Sequence, residues 1–155
     1  MTQDASFADG QEKPVNLVAR DDEDLKVLSA LSQDAVFPIT EMQWNANARR
    51  FGILINRFRW ELPSSAASKP ERVQSVLAVE NVQKISSQGF QRSDSNVVLS
   101  VLSVSFEPLD ETAGNLTILL AGDGAIRLSI EALECRLKDV TRPYSAPSGA
   151  TPAHH

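Results

Sequence analysis

One cysteine, Cys135, serves all 155 residues, so no disulfide can form within the chain. A fold stapled by disulfides is excluded, and a reducing cytoplasm is the expected setting. Histidine is nearly as scarce, with only His154 and His155 at the last two positions. Without a histidine elsewhere, Ser–His and Cys–His pairs lack their base and a closed zinc site lacks its ligands. G-x-S-x-G, the Walker sequence and G-x-G-x-x-G are all missing. The pattern implies no catalytic set, no metal site and no cofactor. Long apolar runs are missing too. The longest, "VVLSVLSVSF", is serine-broken and far short of the roughly 20 residues that cross a bilayer. The first residues, "MTQDASFADG", have no basic start leading into an apolar run, so neither a secretory signal nor a membrane partner is expected.

What is present is an ordinary globular balance: 42% apolar and 23% charged residues, enough apolar content for one core. The net charge of −5 is unevenly spread. Residues 1–48 hold three basic and nine acidic side chains, a balance of −6. Residues 49–92 hold eight basic and three acidic, +5, and residues 93–155 four basic and eight acidic, −4. Such a basic middle either neutralises its acidic neighbours in the fold or offers a surface to an anionic partner. The acidic total argues against nucleic acid.

Along the chain, residues 1–14 read as a disordered tail, 15–141 as a single α+β domain and 142–155 as a flexible C-terminal tail. "VNLVAR" suggests a short strand. "DDED" at Asp21–Asp24 opens a helix, because Asp21 or Asp22 can cap the first turn and the other acids suit its positive end. Leu25, Leu28, Leu31 and Ala35 then share one face, and Pro38 ends the helix. "ITEMQW", the turn-forming "NANA" and "RRFGILINRFRWEL" predict a hairpin. "PSSAASKP" and "SSQGFQRSDSN" read as loops, and "RVQSVLAVENVQKI" as one or two strands. "VVLSVLSVSF" suggests a strand covered on both faces, and "LTILLA" and "AIRLSI" predict two strands joined at the tight turn "GDG". In the last strand Ile126, Leu128 and Ile130 point inward. "EALECRLKDV" is read as a helix of strong helix formers, whereas a strand would align Leu133, Cys135 and Leu137. The fold expected is therefore α+β: a curved, mainly antiparallel sheet or partial barrel of six to seven strands with an N-terminal and a C-terminal helix. A pleckstrin-homology-like barrel is one version.

The second hairpin strand carries the candidate site. Phe51, Ile53 and Ile55 alternate with Leu54, Phe58 and Trp60, and past Asn56 the odd positions become Arg57, Arg59 and Glu61. If Phe58 and Trp60 then fill the core, both guanidinium groups project into water, roughly 6.5–7 Å apart along the strand. A bulge at Asn56 is another way to produce the switch. Arg57, Arg59 and Asn56 are the candidate binding residues, their partner an acidic protein or an anionic ligand. The competing expectation is that the two arginines pair with acids of a neighbouring strand or of the first helix. The function expected is a non-enzymatic binding or adaptor domain. The alternatives are an enzyme using carboxylates in a sheet pocket, and a subunit that self-associates through a sheet edge.

The segments "ARDDEDLKVLSALSQDAV", "LINRFRWE", "VLSVSFEP", "GAIRLSIEALECRLKD" and "TPAHH" together span nearly the whole chain. In them the sequence is similar to an alphaproteobacterial family known as domain-of-unknown-function family 2948. The resemblance implies a bacterial cytoplasmic protein and transfers no catalytic residue. Tyr144 departs from it, standing where a tryptophan is expected.

Overall fold

The structure, a computed structural model, describes residues 13–62 and 70–145. Most of both expected tails (residues 1–12 and 146–155, with His154 and His155) and most of the loop "PSSAASKP" (residues 63–69) lie outside the described residues.

Among the described residues eleven strands and one α-helix follow one another. Strand β1 (Asn16–Ala19) leads into helix α1 (Asp22–Ser32). Strand β2 (Val36–Pro38), a 3-10 turn (Ile39–Glu41) and β3 (Met42–Asn45) come next. Then follow β4 (Arg50–Phe58), β5 (Glu71–Val79), β6 (Val82–Gln88) and β7 (Val98–Pro108). Strands β8 (Gly114–Leu120), β9 (Gly124–Ile130), β10 (Cys135–Asp139) and β11 (Tyr144–Ser145) close the series. Every pairing is antiparallel, in the order β1-β10-β5-β4-β2-β7-β8-β9-β6, with β3 added to β4 and β11 to β5. Strand β2 joins two arms. Val36 faces Asn56 of β4, and Val36 to Pro38 run along Ser100 to Val98 of β7. Phe51, Ile53 and Leu77 from one arm and Leu116, Ile126 and Leu128 from the other belong to one core. The open sheet thus folds back on itself around shared apolar side chains.

These strands correct the expected six to seven strands with two helices. Among the described residues the C-terminal helix is absent, and with it the closing element of a pleckstrin-homology-like barrel. "EALECRLKDV" yields β10, with Cys135, Leu137 and Asp139 buried in alternation. Its helix-forming residues are overridden because β10 fills the position between β1 and β5 and bonds to both. Cys135 is fully buried there, and loss of solvation pushes its thiol up to about 12.

Helix α1 starts as its acids dictate. The Asp21 carboxylate accepts a 2.8 Å hydrogen bond from the Asp24 N–H, a cap of about 1 kcal/mol. Leu25 and Leu28 are buried, each contributing about 1.5–3 kcal/mol. The helix ends at Ser32, well before Pro38. Asp34 takes a left-handed φ of 65°, its N–H bonds the Val101 carbonyl, and the Ala35 carbonyl accepts from the Val101 N–H. Pairing with β7, rather than the proline, terminates the helix. The "NANA" turn closes β3 onto β4 with Asn45 Oδ1 accepting from the Ala48 N–H, and the left-handed residue there is Arg49, at φ 53°. In β7 the expected double-sided burial gives way to one buried set, Leu99 and Val101 and then Val104. A register shift between Val101 and Ser103 leaves Leu102 exposed, so one extra residue accounts for the apolar residues of both parities.

Candidate functional site

The sequence candidates lie at the end of β4. Its register with β5 is unbroken from Phe51 opposite Val79 to Phe58 opposite Arg72, so there is no bulge at Asn56. The odd positions therefore keep pointing inward. The side chains on that face change from Phe51, Ile53 and Ile55 to Arg57, which is 0% exposed, and Arg59 follows at 4%. This corrects the expectation of two guanidinium groups in water. Trp60 is only half-buried, its indole N–H donating to the Gln33 carbonyl at 2.8 Å and its ring set edge-on to Phe58 with centroids 4.7 Å apart.

The arginines are paired with acids of β5, of β10 and of the segment after β4. Arg57 Nη2 donates to both Asp139 oxygens at 3.0 Å, and Nη1 and Nη2 donate to the two Glu61 oxygens at 2.8 and 2.9 Å. Ser75 Oγ accepts from Arg57 Nε at 3.0 Å and donates to Asp139 Oδ1 at 2.7 Å. Asp139 Oδ2 also accepts the Val15 N–H. Arg59 bonds Glu71 at 2.6 Å and reaches Glu61 at 3.4 Å. Burial favours loss of charge on both Arg57 and Glu61. Their mutual bonds and attraction outweigh it, raising the Arg57 pKa and holding the Glu61 carboxyl below its usual range. An ionised carboxylate locked on an arginine is the opposite of a general acid, which needs a raised pKa. The cluster binds β4, β5 and β10 and the segment after β4 to one another. Asn56 lies beside it, with Nδ2 donating to the Tyr144 hydroxyl and a buried Oδ1 that has no partner among the described residues.

At the opposite end of β4 the molecule opens. A groove of about 380 Å³ runs between β3 and β6, inside the range of ligand pockets, about 300–1,000 Å³. Ile39, Phe51 and Ile126 are buried and form its floor. Trp44, 43% exposed, stands on the β3 side, and Phe90 follows the end of β6. Lys84 and Arg92 are exposed along the rim, and no lining residue carries a carboxylate. Among the described residues neither cation has an ion-pair partner. An apolar, aromatic trough with two unspent positive charges can hold a ligand that has an apolar body and an anionic group.

A family model described as a protein of unknown function, DUF2948, matches residues 15–154. The chain belongs to that family. No curated protein and no solved structure matches it. The DUF2948 match takes in both the arginine cluster and the groove. For this DUF2948 chain the sequence reading selected the cations that the fold spends on itself and missed Trp44, Phe90, Lys84 and Arg92. One signal for them was present: Lys84 and Arg92 belong to the +5 middle segment, and no acid lies within five residues of Lys84 on its C-terminal side. No helix among the described residues is long and apolar enough to cross a membrane.

Proposed function

We propose that the chain is a non-enzymatic binding domain of a bacterial cytoplasm, and that it seats an anionic, partly apolar partner in the groove between β3 and β6. One observation supports this reading above the rest: the groove combines the half-exposed Trp44 with two cations that have no ion-pair partner, and no lining acid, among the described residues. Burying an unpaired charge is costly, but a rim charge in water waits for a ligand at little cost. In this reading Lys84 and Arg92 replace Arg57, Arg59 and Asn56 as the groups that meet the partner. Asp139, Glu61 and Glu71 already saturate much of the two guanidinium groups.

The test uses 1-anilinonaphthalene-8-sulfonate, whose rings and sulfonate match the trough and its rim. Fluorescence titration of the full chain is expected to give saturable binding. Lys84→Glu with Arg92→Glu is expected to weaken it by about tenfold or more, the loss of roughly one charge-assisted hydrogen bond. Lys138→Glu, on the exposed face of β10, is expected to leave binding unchanged. Equal weakening by Lys138→Glu, or no change in the double variant, overturns the assignment.

A further inference from the structure

The groove is bounded by two strand edges that lack a further partner strand among the described residues. Among the described residues, strand β6 is the last in the sheet and pairs only with β9, and β3 pairs only with β4. One backbone bond ties the two edges together, at one end of the groove. The Val82 N–H at the start of β6 donates to the Arg49 carbonyl in the β3–β4 turn at 2.9 Å. At the other end the Ile39 N–H, just before β3, donates not to β6 but to the Val97 carbonyl, just before β7, also at 2.9 Å, which continues the β2–β7 pairing. Beyond the tie at Val82, no backbone hydrogen bond joins β3 to β6 among the described residues. The result is a slot with the open edge of β6 along one side, the arrangement that accepts an added strand. On the β3 side the Met42 N–H is already bonded to the Ile39 carbonyl.

The chain beyond β6 keeps this edge accessible. Gly89 has a φ of 83°, and a Cβ there would lie 2.7 Å from Gly124 Cα and 2.8 Å from the Asp123 carbonyl oxygen. Only glycine lets the chain turn so tightly against the β8–β9 turn, and the turn sets Phe90 and Arg92 at the end of the slot. At the other end Glu131 bonds both Arg49, at 2.6 Å, and Gln83, at 2.8 Å, so the tie at Val82 is braced. The register shift between Val82 and Lys84, and Lys84 itself, are devices that keep an edge from pairing indiscriminately. A lysine that repels a basic strand and stacks poorly with an apolar one still accepts an acidic one.

We infer that the slot takes an extended acidic peptide as an added strand on the β6 edge. Its main chain bonds the free groups of β6, its alternate apolar side chains lie against Trp44 and Phe90, and its carboxylates meet Lys84 and Arg92. About five residues, roughly 17 Å at about 3.4 Å each, fit beside β6. The inference rests on the binding role proposed above for the same groove and adds to it the chemical class of the partner.

The probe is a pool of fluorescein-labelled octapeptides with Glu at alternate positions and Val, Ile, Leu, Phe and Tyr mixed between them. Fluorescence anisotropy with the full chain is expected to show binding. N-methylation of alternate peptide amides, which removes donors and leaves side chains intact, is expected to weaken it by about tenfold or more, as is Lys84→Glu with Arg92→Glu. Amide exchange along residues 83–88 is expected to slow in the complex. Equal binding by the N-methylated pool, or by a pool with Lys in place of Glu, overturns the strand-addition inference. If 1-anilinonaphthalene-8-sulfonate binds in the groove and no peptide pool does, the peptide inference falls and the binding reading stands. If neither binds, both fall. A concentration-dependent dimer that Lys84→Glu abolishes places a second copy of the chain in the slot and overturns the peptide assignment.

Discussion

The two ends of β4 share one strand, one inward face and one unbroken register, yet they do opposite things with charge. At Arg57 the fold supplies Ser75 from the adjacent β5, Asp139 from β10 beyond it and Glu61 from the segment that follows, so the cation is consumed in construction. At Phe51 the inward face stays apolar, and the nearby cations, Lys84 and Arg92, find no acid among the described residues. The basic character of residues 49–92 is therefore two populations. One closes the molecule and the other is left on a rim. Local positive charge indicates a partner only after the acids that the fold brings to it have been counted.

Removing Arg57 should break the closed end most severely. Arg57→Ala strands Asp139, whose carboxylate is 2% exposed, with only Ser75 and the Val15 N–H for company. Loss of one partner from a buried pair costs about 3–5 kcal/mol, expected as a lowered urea midpoint. Arg57→Lys keeps the charge but not the two-pronged geometry and should fall between that variant and the parent. A loss below about 1 kcal/mol for Arg57→Ala would show that the cluster is not holding the strands together. Trp60→Ala is the next largest. Its ring is half-buried, so about 2 kcal/mol is expected, less than the roughly 3–5 kcal/mol of a fully buried tryptophan. A value at the upper end would return Trp60 to the core that the strand's alternation suggested for it.

How much of this was legible depends on how far apart the interacting residues lie. The acids at Asp21–Asp24, the "NANA" hairpin, the "GDG" turn and the alternation Ile126, Leu128, Ile130 act within a few residues, and each yields the element that its local chemistry implies. Strand β10 was not legible locally, because its helix-forming residues obey β1 and β5, distant in sequence. The same holds for the site. Asp139 is 82 residues from Arg57, so no pattern around "LINRFRWE" announces it. Parity did carry part of the answer. Arg57 and Arg59 share odd positions with Phe51, Ile53 and Ile55, so an unbroken strand sends all five the same way. The pairing of the arginines with acids of a neighbouring strand, weighed against an open basic face, holds for Arg59 with Glu71 of β5, whereas Arg57 reaches past β5 to Asp139 of β10. The slot was hidden for a related reason. It depends on β5 continuing through Asn81, at φ 61°, into a strand at the far end of the sheet.

Acid should loosen the closed end while leaving the open end indifferent. The folded pKa of Glu61 lies below its ordinary value of 4.5, despite the burial that raises it, because bonds from Arg57 and its charge dominate. A depressed folded pKa stabilises the fold above the unfolded value, and that stabilisation is lost as pH falls from about 4.5 through the folded pKa. Glu61→Gln removes this component. Its stability, followed by circular dichroism in urea, is expected to be lower than the parent's near neutrality and to converge toward it as the pH drops below about 4. Parallel acid curves for the two chains would mean that Arg57 is satisfied by Asp139 alone.

The smallest expected change in stability is the sharpest test of the contrast. Lys84→Ala and Arg92→Ala remove exposed charges that have no ion-pair partner among the described residues, so each should shift stability by less than about 0.5 kcal/mol in urea. The same substitutions should reduce binding of 1-anilinonaphthalene-8-sulfonate, since the ligand alone uses them. Arg57→Ala should behave in the reverse sense, costing stability heavily, while any molecule that remains folded keeps its groove. If instead Arg92→Ala costs more than about 1 kcal/mol, Arg92 is part of the frame that holds the loop after Gly89, and the free charge on the rim reduces to Lys84. The separation of the two populations of cations thus stands on a pair of alanine substitutions whose effects on folding and on binding must run in opposite directions.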